Sequence, residues 1–267
     1  MHEIGIEWMT QTEVNGHFLE LRGIPDEKLE WERIPEAIAG ANYYNIQNIP
    51  GQLTVEPDSG KIYLKIQYVT GADIRETTIT DALEWYLEEE MAKICKWVAF
   101  LNKTEKVIGS QWLPQAAGKI GYSVEDKFLM ACEMEEKLMA VLDTYTIPYM
   151  ADSECMGVCC EWHQESQSQR YHITIRSAEM MMTISTVLST PISEEQIPDT
   201  LETCMALNQE AWGSFYLDDG TGCVGYHLTA VYGRHVDKDW IVAQIALAEA
   251  AIGDWKKKED DWRAQER

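Results

Sequence analysis

Positive charge is the scarcest thing in this sequence. Its 267 residues hold 22 Lys and Arg against 45 Asp and Glu, a formal net charge of −23. A field of that sign repels phosphate backbones and anionic bilayers, so it disfavours nucleic-acid and membrane-surface binding and suits solubility or a basic partner. Long apolar runs are missing too, and nothing approaches the roughly 18 to 20 residues a membrane span requires. The opening MHEIGIEWMTQTE has neither the basic flank nor the apolar stretch of a secretory signal. A cytoplasmic location is therefore expected. Seven cysteines, at 95, 132, 155, 159, 160, 204 and 223, are an odd number, so a full disulfide framework would leave one over. Reduced thiols packed as small hydrophobes are the expected state. Recognisable catalytic signatures are also lacking: no G-x-S-x-G elbow, no H-E-x-x-H helix and no cysteine-centred motif occurs.

What is present is the material of a folded protein. Apolar residues make up 45% and charged residues 25%, which excludes broad disorder. The length suits one large domain or two modest ones. The clearest segment runs from Cys204 to Trp255. It comprises a helix ending near Asn208, a strand Gly213–Leu217, the turn Asp218-Asp219-Gly220-Thr221-Gly222, a strand Cys223–Tyr232 and a helix from about Val236. Turn residues between two β-rich runs predict a hairpin, because glycine supplies the positive φ. In the last helix Ile241, Ile245, Ala248, Ile252 and Trp255 form one stripe.

About 160 residues earlier the same order is found. Ile34-Pro35 opens a helix as Ile197-Pro198 does, each proline falling in or near the first turn. Gln52–Glu56 and Lys61–Val69 read as strands around Pro57-Asp58-Ser59-Gly60. Aligning the two turns pairs Leu53 with Phe215, Val55 with Leu217, Ile62 with Val224 and Ile66 with Leu228. A helix follows with Leu83, Leu87, Met91, Ile94, Val98 and Leu101 as its stripe and Asp81 near its start. Upstream, the first half offers strands Glu3–Thr10 and His17–Ile24, joined near Asn15-Gly16. The second offers Gly157–His163, Arg170–Ser177 and Met181–Leu188. A helix from about Val124 to Tyr145 precedes these, with Phe128, Ala131, Leu138, Val141, Leu142 and Tyr145 on its inner side.

The expected fold class is therefore α+β: two related modules, each an antiparallel sheet flanked by helices. The second reads α-βββ-α-ββ-α and the first ββ-α-ββ-α. The expected division is a truncated module at 1–104, a linker at 105–122, a complete module at 123–257 and a charged tail at 258–267, read as a frayed helix end.

Several stretches of the second half carry a family resemblance. They are Asp143-Thr144-Tyr145-Thr146-Ile147-Pro148-Tyr149, the strand Tyr171-His172-Ile173-Thr174-Ile175, and Pro191-Ile192-Ser193-Glu194-Glu195. Last comes Ala206-Leu207-Asn208 followed by Trp212-Gly213-Ser214-Phe215-Tyr216-Leu217-Asp218-Asp219-Gly220. With these, residues 124–257 resemble the bacterial YbjN family, whose fold is that of type III secretion chaperones, and the first half resembles a shortened copy. The resemblance implies a small acidic cytoplasmic protein that binds other proteins. Chaperones of this fold dimerise and hold an extended client segment. A two-module chain would then be a monomeric pseudo-dimer or a homodimer. No cofactor is implied.

Cys155, Cys159, Cys160 and His163 are the densest group of metal-ligand types. On a strand, however, Cys159 and Cys160 point to opposite faces, and Cys159 to His163 spans roughly 13 Å at about 3.3 Å per residue. Tetrahedral zinc cannot be held that way, so no metal site is assigned. Asp218–Gly222 lacks the spacing of a calcium loop and the Lys-Ser/Thr ending of a phosphate loop, and reads as a turn. His172 and His227, on predicted strands, are expected to be structural residues with their hydrogen bonds met. Glu88-Glu89-Glu90 and Glu133, Glu135 and Glu136 are expected to be solvated helix faces. Met180-Met181-Met182 fit either a strand buried on both faces or an adaptable partner-binding groove. They are the candidate partner-binding residues. No catalytic residue is assigned. The function expected is a non-enzymatic protein-binding module, chaperone-like or regulatory, that holds a segment of a partner protein. An enzyme with a dispersed active site is the alternative.

Overall fold

A computed structural model describes residues 6–12, 18–25, 28–47, 51–69, 77–102, 122–152, 156–164, 167–234 and 236–265. The predicted Asn15-Gly16 turn and nearly all of the 105–122 linker lie outside them. The side chains of Leu83 and Leu87 do as well.

The first module runs β1 (Ile6–Thr12), β2 (Phe18–Pro25), α1 (Ile34–Asn45), β3 (Gln52–Val55), β4 (Ile62–Val69) and α2 (Thr77–Asn102). Its sheet is antiparallel in the order β1-β2-β4-β3. The second runs α3 (Val124–Thr144), β5 (Tyr149–Ala151), β6 (Gly157–Gln164), β7 (Gln167–Arg176), β8 (Met181–Val187), α4 (Ile197–Glu210), β9 (Ser214–Leu217), β10 (Val224–Val231) and α5 (Lys238–Gln265). Its antiparallel sheet has the order β5-β6-β7-β8-β10-β9. The expected α+β plan with two antiparallel sheets stands, with one strand more than predicted. The strand β5 was not foreseen because three residues are too few for a period-2 pattern. The charge run from Lys256 belongs to α5, which continues to Gln265.

Local sequence accounts for the element ends. Both α1 and α4 begin with an Ile-Pro pair directly after a 3₁₀ turn, at Trp31–Arg33 and Glu194–Gln196, where the missing proline N–H costs nothing. The Ser123 hydroxyl caps α3 by accepting the Asp126 N–H at 3.1 Å, and Glu125 and Asp126 favour the same helix end. The two hairpin turns share one bonding scheme. Asp218 N–H donates to Cys223 O at 2.9 Å and Gly222 N–H to Asp218 O at 2.7 Å. Glu56 N–H donates to Lys61 O at 2.8 Å and Gly60 N–H to Glu56 O at 3.0 Å. Gly60 and Gly222 adopt φ of 65° and 68°, a region that disfavours any residue with a Cβ.

The buried apolar side chains of both modules form one continuous cluster. The α5 stripe Ile241, Ile245, Ala248, Ile252 and Trp255 is buried as predicted, and Trp255 stacks on Phe215 of β9 at 6.1 Å. On α2, Met91, Ile94, Val98 and Leu101 are buried. The α3 stripe is only partly as expected. Ala131, Leu138, Val141 and Leu142 are buried, joined by Met130 and Met134, whereas Phe128 and Tyr145 are exposed. At 3.6 residues per turn Phe128 lies about 80° round the helix from Leu138. Tyr145 is the C-cap, where the chain has left helical geometry.

Candidate functional site

The residues singled out from sequence are dispersed. Met181 and Met182 lie on β8 and Met180 just before it. All three are buried, which places them in the core of the second module. Cys159 and Cys160 sit on β6 opposite His172 and Tyr171, on alternate faces as expected of a strand. Cys155 and the side chain of His163 lie outside the described residues. Burial pushes the Cys160 thiol up to about 11 and that of Cys204, on α4, up to about 12, so neither is a nucleophile at neutral pH. The Asp218 carboxylate accepts the N–H groups of Gly220 and Thr221 at 2.8 and 3.0 Å, a side-chain-closed turn.

Two expectations fail. His172 has a partner, its Nε2 lying 2.7 Å from the Asp152 carboxylate, but His227 is buried with neither ring nitrogen hydrogen-bonded. Glu90 is no solvated residue either. It is buried on α2, accepting from Lys93 Nζ at 2.5 Å and Tyr44 Oη at 3.4 Å, because the helix turns it toward α1.

His227 belongs to a site that sequence reasoning missed, the joint between the modules. Here α1 and β3 of the first module pack against α4 and β9 of the second. Three asparagine side chains hold the short strands by imitating a neighbouring strand. Asn45 donates to Leu53 O at 2.9 Å and accepts Leu53 N–H at 2.8 Å. Asn208 does the same for Phe215, at 3.0 and 2.8 Å. Asn42 crosses the joint, donating to Leu217 O and accepting Leu217 N–H, both at 2.8 Å. Each amide satisfies one buried donor and one buried acceptor that the terminal strands of the two sheets would otherwise leave open. Asn208, in the last turn of α4, therefore has a physical role in its leucine–asparagine pair.

A small polar cleft opens beside these clamps. Its walls put Gly51 and Gln52 of the first module near Gly213 and Ser214 of the second, with Lys65 and His227 between them. The cavity measures about 20 Å³, room for water-sized molecules. Lys65, 1% exposed, reaches from β4 to the end of α4 and donates to Gln209 O at 3.2 Å and Ala211 O at 2.8 Å. A cation suits a helix C-terminus, but burial outweighs this and lowers Lys65 to about 7. Burial, with the Arg176 guanidinium adding to it, lowers His227 to about 3, so the ring is neutral at physiological pH. Gln52 Nε2 donates to Gly213 O, while its Oε1 has no partner. Aligning the hairpin turns would have set Lys65 against His227, and that register was the available signal.

A second surface shares no residue with this cleft. Among the described residues seven large apolar side chains are exposed, and five fall between 124 and 150: Val124, Phe128, Leu129, Tyr145 and Met150. The first three stand on α3, whose outward face also carries Glu125, Glu133 and Glu136. Met150 stands on β5, which among the described residues is an edge strand paired with β6.

An all-antiparallel α+β protein with a polar joint and an acidic, partly apolar helix face is thus the class that fold and surface define. Residues 135–257 match the model of the YbjN family, described as "Putative bacterial sensory transduction regulator". No curated protein and no solved structure matches the chain.

Proposed function

We propose that this protein is a non-enzymatic, chaperone-like or regulatory binding protein that holds a segment of a partner protein on the outer face of its second module. The observation that carries the reading is the exposure of Val124, Phe128 and Leu129 together on the first two turns of α3, with Met150 exposed on β5. Large apolar side chains gathered on one stretch of surface mark interaction sites more often than chance exposure does. Among the described residues β5 is an edge strand where a partner strand could add, whereas β3 and β9 are closed by the asparagine clamps. With a net charge of −23 and Glu125, Glu133 and Glu136 beside the apolar positions, a basic partner segment is favoured.

The first module is read as a shortened copy of the second, and the chain as a monomeric pseudo-dimer acting in the cytoplasm. The matching turns and the matching Asn45 and Asn208 clamps support that reading. The Met180–Met182 run serves as core support for the sheet in this scheme. Affinity capture from native lysate with the wild type and with the Phe128→Asp/Leu129→Asp variant tests the proposal. A protein retained by the wild type and lost from the folded variant is expected. Equal recovery by both, or no partner across several growth conditions, refutes it.

A further inference from the structure

We propose that the joint between the two modules is an acid-loosened hinge, in which proton uptake by His227, in a cleft that already holds the Lys65 amine, favours separation of the modules. The inference rests on the geometry of the joint and is independent of the partner-binding reading. His227 and Lys65 are each 1% exposed and line one cleft, from opposite modules. Neither His227 nitrogen has a partner, and Gln52 Oε1 beside it is unpartnered too. Buried polar groups left unpaired weaken a closed interface, and opening would hydrate them.

The charged groups around the cleft determine the direction. Facing Lys65 are Glu20 and Arg22 from β2 and Glu210 from α4; the two carboxylates favour its cation and Arg22 opposes it, but burial is the largest effect. Facing His227 is Arg176 at the end of β7, which opposes a charge on the ring, and the Tyr216 ring lies 5.4 Å away. Both groups bind protons more weakly in the closed joint than in water, so opening takes up protons. For His227 the closed value is about 3 against an ordinary 6.5, so its contribution is intact above pH 6.5 and is lost as pH falls toward 3. Within that window each pH unit raises the open-to-closed ratio up to about tenfold. For Lys65, at about 7 against 10.5, the contribution is complete above pH 10.5 and is lost as pH falls to 7. The two windows do not overlap. For a chain carrying −23, mild acid also reduces self-repulsion, an effect of opposite sign.

The test is hydrogen exchange of the full chain from pH 4.5 to 9.5, corrected for intrinsic rates. It follows the Leu217 amide, bonded across the joint to Asn42, and the Ile175 amide, bonded to Met156 O within the second module. Protection of Leu217 is expected to fall by up to about fiftyfold from pH 6.5 to 4.5 while that of Ile175 holds. His227→Gln should abolish this loss and Lys65→Met should flatten only the arm above pH 7. A wild-type Leu217 protection that is flat in pH overturns the proposal without any variant. So does parallel loss at Ile175, or a His227→Gln protein that keeps the acid response.

Discussion

Replacing Asn42 with alanine removes two 2.8 Å hydrogen bonds and leaves the Leu217 N–H and C=O without their partners. Asn42 and Leu217 are each 3% exposed, so water does not replace the amide. A buried donor or acceptor deprived of its partner costs about 1–3 kcal/mol. Two such groups give about 2–6 kcal/mol, and a value near 3–4 is expected after partial relaxation. Against a total stability of about 5–15 kcal/mol that is a large fraction. Urea unfolding at pH 8, followed by tryptophan fluorescence, measures it. Exposed Glu202→Ala, expected within about 0.5 kcal/mol of wild type, is the control. Asn42→Asp should be at least as damaging, because a carboxylate cannot donate to Leu217 O and brings a buried charge. A loss below about 1 kcal/mol for Asn42→Ala would refute the claim that the clamp holds the modules together.

Further expectations concern the turns, the thiols and the outer face. Gly222→Ala should cost about 1–2 kcal/mol from its positive φ alone, since the nearest atom to an added Cβ is 3.8 Å away. Gly60→Ala should cost more, because there the Cβ would also meet Leu29 O at 2.9 Å; thermal melts of both variants test the order. Maleimide labelling of the native protein at pH 7.5 should modify Cys132, Cys159 and Cys223 well before buried Cys95, Cys160 and Cys204, read by mass spectrometry of peptides. Phe128→Asp should change the urea midpoint little, because an exposed side chain contributes little to the core; a loss above about 1.5 kcal/mol would show that it packs in the native state.

Much of this architecture was legible because its signals are local. Ile34-Pro35 and Ile197-Pro198 announce helix starts, Ser59-Gly60 and Thr221-Gly222 announce turns, and the α5 stripe repeats at three- and four-residue steps. What escaped depends on distance in the chain or on fine geometry. Strand β5 is defined by its pairing with β6, not by its own three residues. Phe128 sits at the margin of the α3 stripe, and spacing alone does not say which margin is covered. Glu90 looks like part of a solvated charge run until α1 is placed against it. The joint unites residues such as Asn42 and Leu217, or Lys65 and Ala211, that no local pattern connects. His227 reads as an ordinary strand histidine, and no local pattern signals that both of its ring nitrogens are buried without a hydrogen-bond partner.

The most direct test of the account places a photo-crosslinking amino acid at Phe128, at Met150 or, as a control, at exposed Glu202 on α4, in the full chain within cells. Binding on the outer face of the second module predicts the same covalent adduct from positions 128 and 150 and none from 202. Adducts from 202 alone, or none from any position across several growth conditions, would contradict it.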